Sequence, residues 1–123
     1  MRTLLKITPL VLALLSASSC QRTPEPGPPN MIPTILGALQ TPDASARDTA
    51  LGAACREAAD QGAGPAVLMG VPRIEDNQLR DEIAEECALT LGEAGQTDAA
   101  VDVAKQISNE VKRDELVARL KGE

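Results

Sequence analysis

The residues of this chain that could do chemistry are three cysteines, Cys20, Cys55 and Cys87, a cluster of carboxylates at Asp81, Glu82, Glu85 and Glu86, and the serines Ser45 and Ser108. A serine or thiol nucleophile needs a neighbouring base, and a chain with no histidine lacks the commonest one. Ser45 and Ser108 read instead as residues of helix starts or surface turns. The four carboxylates could be imagined as an acid–base pair or a calcium site. Their spacing, however, is that of the first turns of an amphipathic helix, where negative charge suits the positive end of the dipole, and no Asp-rich loop with a glycine turn accompanies them. Gly62 and Gly64 are not followed by the Lys-Ser or Lys-Thr of a phosphate loop. Two cysteines without histidine or a CxxC spacing do not make a zinc cage. The expectation is a protein that is not an enzyme, with no cofactor, no metal ion and no small-molecule substrate.

Composition narrows the partners. The 123 residues allow one small domain, and none is Phe, Tyr or Trp, so the usual stacking platforms for bases and sugars are missing. The formal charge is -6, yet Arg2 and Lys6 belong to an N-terminal segment that contains no acid, so the remainder is more acidic still. Such a surface repels nucleic-acid phosphates and anionic headgroups, and neither is expected as a ligand.

The N-terminus has the anatomy of an export signal. Arg2 and Lys6 are positive, Ile7 to Leu15 form an apolar run, and Ser16-Ala17-Ser18-Ser19 lead into Cys20. The run is too short to span a bilayer, which takes about 20 apolar residues. The arrangement resembles the signal of bacterial lipoproteins, with Ser19 and Ser18 before the cysteine and Ala17 where that family most often has Leu. The resemblance implies removal of residues 1–19 and lipid attachment at Cys20; an ordinary secretory signal cut near the same place is the alternative. Residues 21–33 (QRTPEPGPPNMIP) are rich in proline, so residues 20–33 read as a lipidated cysteine followed by an extended tether, with a helical domain over residues 34–123. Gln21 after the cysteine implies, by the same resemblance, the outer membrane facing the periplasm if the source is Gram-negative.

Beyond the tether the chain repeats. Arg47-Asp48, Arg80-Asp81 and Arg113-Asp114 recur with a period of 33 residues, and the apolar positions that follow them recur in register. Ala50, Ile83 and Leu116 correspond, as do Ala54, Cys87 and Leu120, and Gly62 with Gly95. Each unit reads as two helices. In the second unit Ile83, Ala84, Cys87, Ala88, Leu91 and Ala94 form one apolar face, Gly95 ends the first helix, and Thr97 caps a second helix whose inner stripe is Ala100, Val101, Val103, Ala104 and Ile107. In the first unit Ala50, Leu51, Ala54, Cys55 and Ala58 take the same role, Gly62 stops the helix, Pro65 restarts it with Val67, Leu68 and Val71 facing inward, and Pro72 keeps the second helix short. Short helices at 34–40 and 109–121 are expected as end caps. The fold class is all-α, either a short array of helix-turn-helix repeats or a small helical bundle.

A helix, turn and helix every 33 residues is similar to the tetratricopeptide repeat, with Ala88 and Ala100 at its small-residue positions and Gly95 at its turn. The similarity covers residues 46–123; it lacks the family's aromatic positions and has Lys112 where a proline would close the unit. It implies a curved stack whose first helices line a protein-binding face, placing Arg56, Glu82, Glu85 and Leu89 there. Because that face is mostly negative, a basic protein partner is expected. The functional reading is an envelope lipoprotein held at the membrane by lipid on Cys20 and binding a protein through its repeats; the alternatives are a structural envelope component or a regulator of a periplasmic enzyme. Export places Cys55 and Cys87 in an oxidising compartment, where an even pair in a small domain suggests a disulfide. The other reading is two buried thiols acting as small apolar side chains.

Overall fold

The computed structural model describes residues 30–123; the expected signal, Cys20 and most of the tether lie outside the described residues. Among the described residues six α-helices follow one another: α1 (Ile32–Leu39), α2 (Ala44–Asp60), α3 (Gly64–Gly70), α4 (Asn77–Glu93), α5 (Thr97–Ala104) and α6 (Glu110–Leu120). A single turn of 3-10 helix, Val71–Arg73, extends α3, with Pro72 inside it, in keeping with the short second helix expected from that proline. Helix α1 starts at Ile32, two residues earlier than its sequence pattern suggested. Pro33 sits in its first turn, where a missing N–H costs nothing, so the last proline of the expected tether already belongs to the domain.

The long helices begin and end alike. Asp43, Asp76 and Asn109 recur at the 33-residue period, and each side chain accepts the N–H three residues on, from Ala46, Leu79 and Lys112 respectively. At the other end Gly62 and Gly95 take left-handed φ values of 72° and 83°, which let Ala63 and Gln96 N–H reach back to the carbonyls of Ala58 and Leu91. Thr97, expected as a cap, is instead the first helical residue of α5, and Gln96 at the N-cap makes no side-chain cap bond. The Gln96 amide donates to the Gly62 carbonyl at 2.7 Å, so the turn of one unit is tied to the turn of the next. Helix α6 departs from the period: it closes at Gly122, φ 79°, after 11 residues where α2 and α4 run for 17.

Packing arranges these helices in two layers. Helix α2 packs on α4 and α4 on α6, forming one row; α1 packs on α3 and α3 on α5, forming the other; each hairpin closes between the rows. The units therefore stack as successive helical hairpins. The core is made of Ile35, Leu51, Val67, Val71, Ile74, Ile83, Leu91 and Val103 with many alanines between them, and the apolar faces expected for both units are buried except at Ala50 and Leu68, which are half-buried, and Ala94, which caps α4 and is exposed. Lacking aromatic rings, the chain fills its core by bringing helices close together at glycine. A Cβ at Gly52 would stand 3.1 Å from Ile83 Cδ1, one at Gly64 2.9 Å from the Ala99 methyl, and one at Gly92 2.9 Å from Leu120 Cδ2. The tightest place is Gly70, where a Cβ would lie 2.5 Å from Cys55 Sγ and 3.0 Å from Ile35 Cδ1.

Candidate functional site: the outer face of α4 and its flanking grooves

Helix α4 occupies the middle of the row formed by α2, α4 and α6, so its outer face is bordered by a seam on each side. With Ile83, Ala84, Cys87, Ala88 and Leu91 turned inward, the helical period puts Glu82 and Leu89 on the outer crest. Leu89 is half-buried against the core and Glu82 is exposed. Glu86 leans to the α2 side and Glu85 to the α6 side.

On the α2 side, Arg56 donates to Glu86 at 2.6 Å and 3.3 Å, a two-pronged pair that bridges the seam. The hydrogen bond from Arg56 holds the Glu86 carboxyl below the usual range. Both groups are about half exposed, so water screens most of the attraction. Beneath the pair is a depression of about 250 Å³ lined by Arg56, Ala59, Asp60, Glu86, Cys87 and Thr90. On the α6 side a second depression of about 230 Å³ is lined by Glu85, Ile107, Lys112, Glu115, Leu116 and Arg119, charges of both signs over an apolar floor. The four residues expected to share one binding face are thus divided. Arg56 belongs to the first groove, Glu85 to the second, and Glu82 and Leu89 to the crest between them. Glu86, Lys112 and Arg119 were not anticipated; Glu86 is spaced 30 residues from Arg56, and no period relates the two.

The pair Cys55 and Cys87 lies below this surface, on α2 and α4. The structure carries them as two separate buried thiols. Burial pushes both up to about 12, and for Cys87 the neighbouring Cys55 adds to the effect. Thiols of this kind are almost wholly protonated at neutral pH and are poor nucleophiles.

The repeated aspartates turn out to hold the units together. Asp48 Oδ1 accepts the Glu75 N–H and Oδ2 the Asp76 N–H, each at 3.0 Å, so the carboxylate grips the start of α4 through two successive backbone donors. Asp48 is the one buried charged residue among those described, 6% exposed. One period later Asp81 accepts the Ser108 N–H at 2.8 Å, and the Ser108 hydroxyl at 2.7 Å, at the start of α6. Burial works to raise the Asp81 carboxyl; the bonds from the Ser108 backbone and hydroxyl and the Asn109 N–H, with Arg80 alongside, outweigh it and set it below the usual range. Asp81 is therefore a clamp between units, whereas its place in a first helical turn had suggested a solvated acid. The periods of the Arg-Asp pairs and of the N-caps were both visible in the sequence, and their fixed offset was the signal that the two interact.

Among the described residues no helix is long and apolar enough to cross a membrane, and no group of three His, Cys, Asp or Glu side chains is placed to hold a metal ion. The class defined by the fold is a stack of helical hairpins. No protein family matches this chain, and no curated protein or solved structure matches it.

Proposed function

We propose that the chain is an envelope lipoprotein, anchored by lipid on Cys20, that binds a protein through the outer face of its stacked hairpins. The observation that supports this reading is the surface of α4. Glu82 and Glu85 make no ion pair among the described residues; Glu82 shares the crest with the half-buried Leu89, and Glu85 lines the groove on the α6 side. A half-buried apolar residue ringed by unpaired carboxylates suits a protein segment that brings an apolar side chain and Lys or Arg together. The rigid double row holds that surface in a fixed shape, which lowers the ordering cost of binding.

The anchor and the face are tested separately. Intact-mass measurement of protein from membranes should show a chain beginning at lipid-bearing Cys20, and Cys20→Ala should abolish processing; a soluble, unlipidated mature chain would sink the anchor. For the face, cross-linking in native membranes should capture a stoichiometric partner. The folded Glu82→Lys, Glu85→Lys variant should bind that partner at least tenfold more weakly, about 1.4 kcal/mol. Wild-type association should slow as salt rises. Unchanged affinity together with unchanged salt dependence would place binding away from α4.

A further inference from the structure

The 33-residue period also relates the three short helices of the second row, α1, α3 and α5, and their outward positions are filled differently along the row. On α5 those positions hold Asp98, Asp102 and Lys105, all exposed. One period earlier, on α3 and the turn that extends it, they hold Pro65, Met69 and Pro72; a further period back, on α1, they hold Ile32, Leu36 and Leu39. The row therefore presents charge to water at its α5 end and apolar side chains at its α1 end. Leu36 is 47% exposed, and Ile32, Leu39 and Met69 are only half-buried at the edge of the core.

Charge follows the same division. Residues 30–42 and residues 61–72 contain no Asp, Glu, Lys or Arg, so every charged side chain among the described residues lies in 43–60 or 73–123, where acids outnumber bases. The other large apolar side chain that stands exposed among the described residues, Val111 on α6, has no such setting. Glu110 and Lys112 adjoin it, and Asp114 and Glu115 follow one helical turn later. The uncharged apolar surface belongs to α1 and α3 alone.

From this division we infer that the outer face of α1 and α3 lies against the surface of a lipid bilayer. The inference rests on the anchor proposed above, which selects the bilayer as occupant: Cys20 stands 12 residues before Ile32, so even a fully extended chain keeps the start of α1 within about 40 Å of the lipid. An uncharged apolar face settles into the headgroup boundary, as interfacial helices do to a depth of about 5–10 Å, because no ion has to be desolvated. The acidic remainder of the domain favours the same orientation. An anionic bilayer repels it, which leaves the α1–α3 face as the one that approaches without electrostatic cost. A few apolar side chains bind a bilayer weakly by themselves, and the anchor offsets this by holding the face at high effective concentration. The long helices form the opposite row, so this orientation turns the outer face of α4 away from the lipid and leaves it open to a protein partner.

Because the chain has no Phe, Tyr or Trp, one introduced tryptophan is its sole aromatic reporter. Leu36→Trp and Asp102→Trp place that reporter at equivalent, exposed positions of α1 and α5, and circular dichroism establishes that each variant folds. The lipidated full chain of each is reconstituted in phosphatidylcholine vesicles, with or without bromine on the acyl chains close to the headgroup. Emission from Leu36→Trp should be blue-shifted and lowered about twofold by the brominated lipid, since the ring lies within reach of the bromine. Emission from Asp102→Trp should be that of an indole in water, unchanged by bromine. Adding Pro65→Glu to Leu36→Trp, at an exposed site in the first turn of α3 where an acid suits the helix, should weaken the quenching while lipid remains on Cys20. Intact mass and flotation with the vesicles report the anchor separately. A lipid-bearing, vesicle-bound chain whose Leu36→Trp emission is not quenched overturns the inference and leaves the anchor standing; a blue shift without quenching does the same and assigns the face to a second copy of the chain. Equal quenching of both reporters also overturns it, because the contact would then not be confined to α1 and α3. A chain without lipid on Cys20 removes the anchor, and the inference falls with it.

Discussion

The seam between α2 and α4 and the seam between α4 and α6 are built from the same repeated positions, yet they are finished differently. At the first, Asp48 is buried and satisfied by two backbone donors, Gly52 receives the Ile83 methyl, the two cysteines fill the interior, and Arg56 and Glu86 bridge the rim. At the second, Asp81 is half-exposed, part of its grip comes from a serine hydroxyl, and α6 contributes one buried residue, Leu116. Identical register does not give identical strength. A clamp in low dielectric holds its donors tightly because neither side can turn to water, whereas a clamp at the surface competes with solvent for every bond.

Mutations can break that comparison at the points where it makes the strongest claims. Asp48→Ala leaves the Glu75 and Asp76 N–H groups without their acceptor in a buried seam and should cost about 3 kcal/mol in urea unfolding, while Asp81→Ala, open to water, should cost about 1 kcal/mol. Equal losses would mean that burial does not separate the two clamps. Leu91→Ala, within the fully buried core of α4, should also cost about 3 kcal/mol, and an unchanged midpoint would contradict the packing of both seams at once.

Next in size is the close approach at Gly70. Adding a methyl there should cost about 2 kcal/mol, because it would stand 2.5 Å from Sγ of the fully buried Cys55 and force it to shift within the core. Cys55→Ala in the same chain should restore part of the loss, and a double-mutant cycle with no coupling would show that the thiol is not what limits the space. The same burial predicts that Cys55 and Cys87 react slowly with a thiol reagent at neutral pH and quickly once urea is added, since thiols pushed up to about 12 offer almost no thiolate. Rapid labelling of the folded chain would place them nearer to solvent.

The smallest effects are electrostatic. Asp81 sits below its ordinary carboxylate value in the folded state, so its contribution is complete above the unfolded value, about 4, and fades as pH falls through the folded value. The advantage of wild type over Asp81→Asn should therefore be present at neutral pH and disappear in acid; an advantage that persisted would deny the carboxylate its role as acceptor. Breaking Arg56 from Glu86 by Glu86→Gln should change stability by about 0.5 kcal/mol at most, because the pair stands in water.

Much of this architecture was legible in the residues. The period of 33, the apolar faces of both units and the glycine stops depend on local preferences and on spacing, and each reappears in the folded chain: Ile83, Cys87 and Leu91 face inward, and Gly62 and Gly95 adopt the left-handed turn that their lack of a Cβ allows. The three Asx caps are local too, since each bonds an N–H three residues away. What lay beyond reach were contacts whose partners are far apart in sequence and whose worth depends on burial. Asp48 and Asp81 occupy equivalent places in equivalent helices, and only the packing of the next unit makes one a buried clamp and the other a half-exposed one. The same holds for Arg56, Glu82, Glu85 and Leu89, which the resemblance to tetratricopeptide repeats placed on one face; the approach of α2 from one side and α6 from the other distributes them over two grooves and a crest. Local sequence determines how each helix starts, stops and turns its apolar side, because those choices rest on neighbours within a few residues. Tertiary structure alone decides which polar groups lose their water, because that depends on what the rest of the chain brings over them.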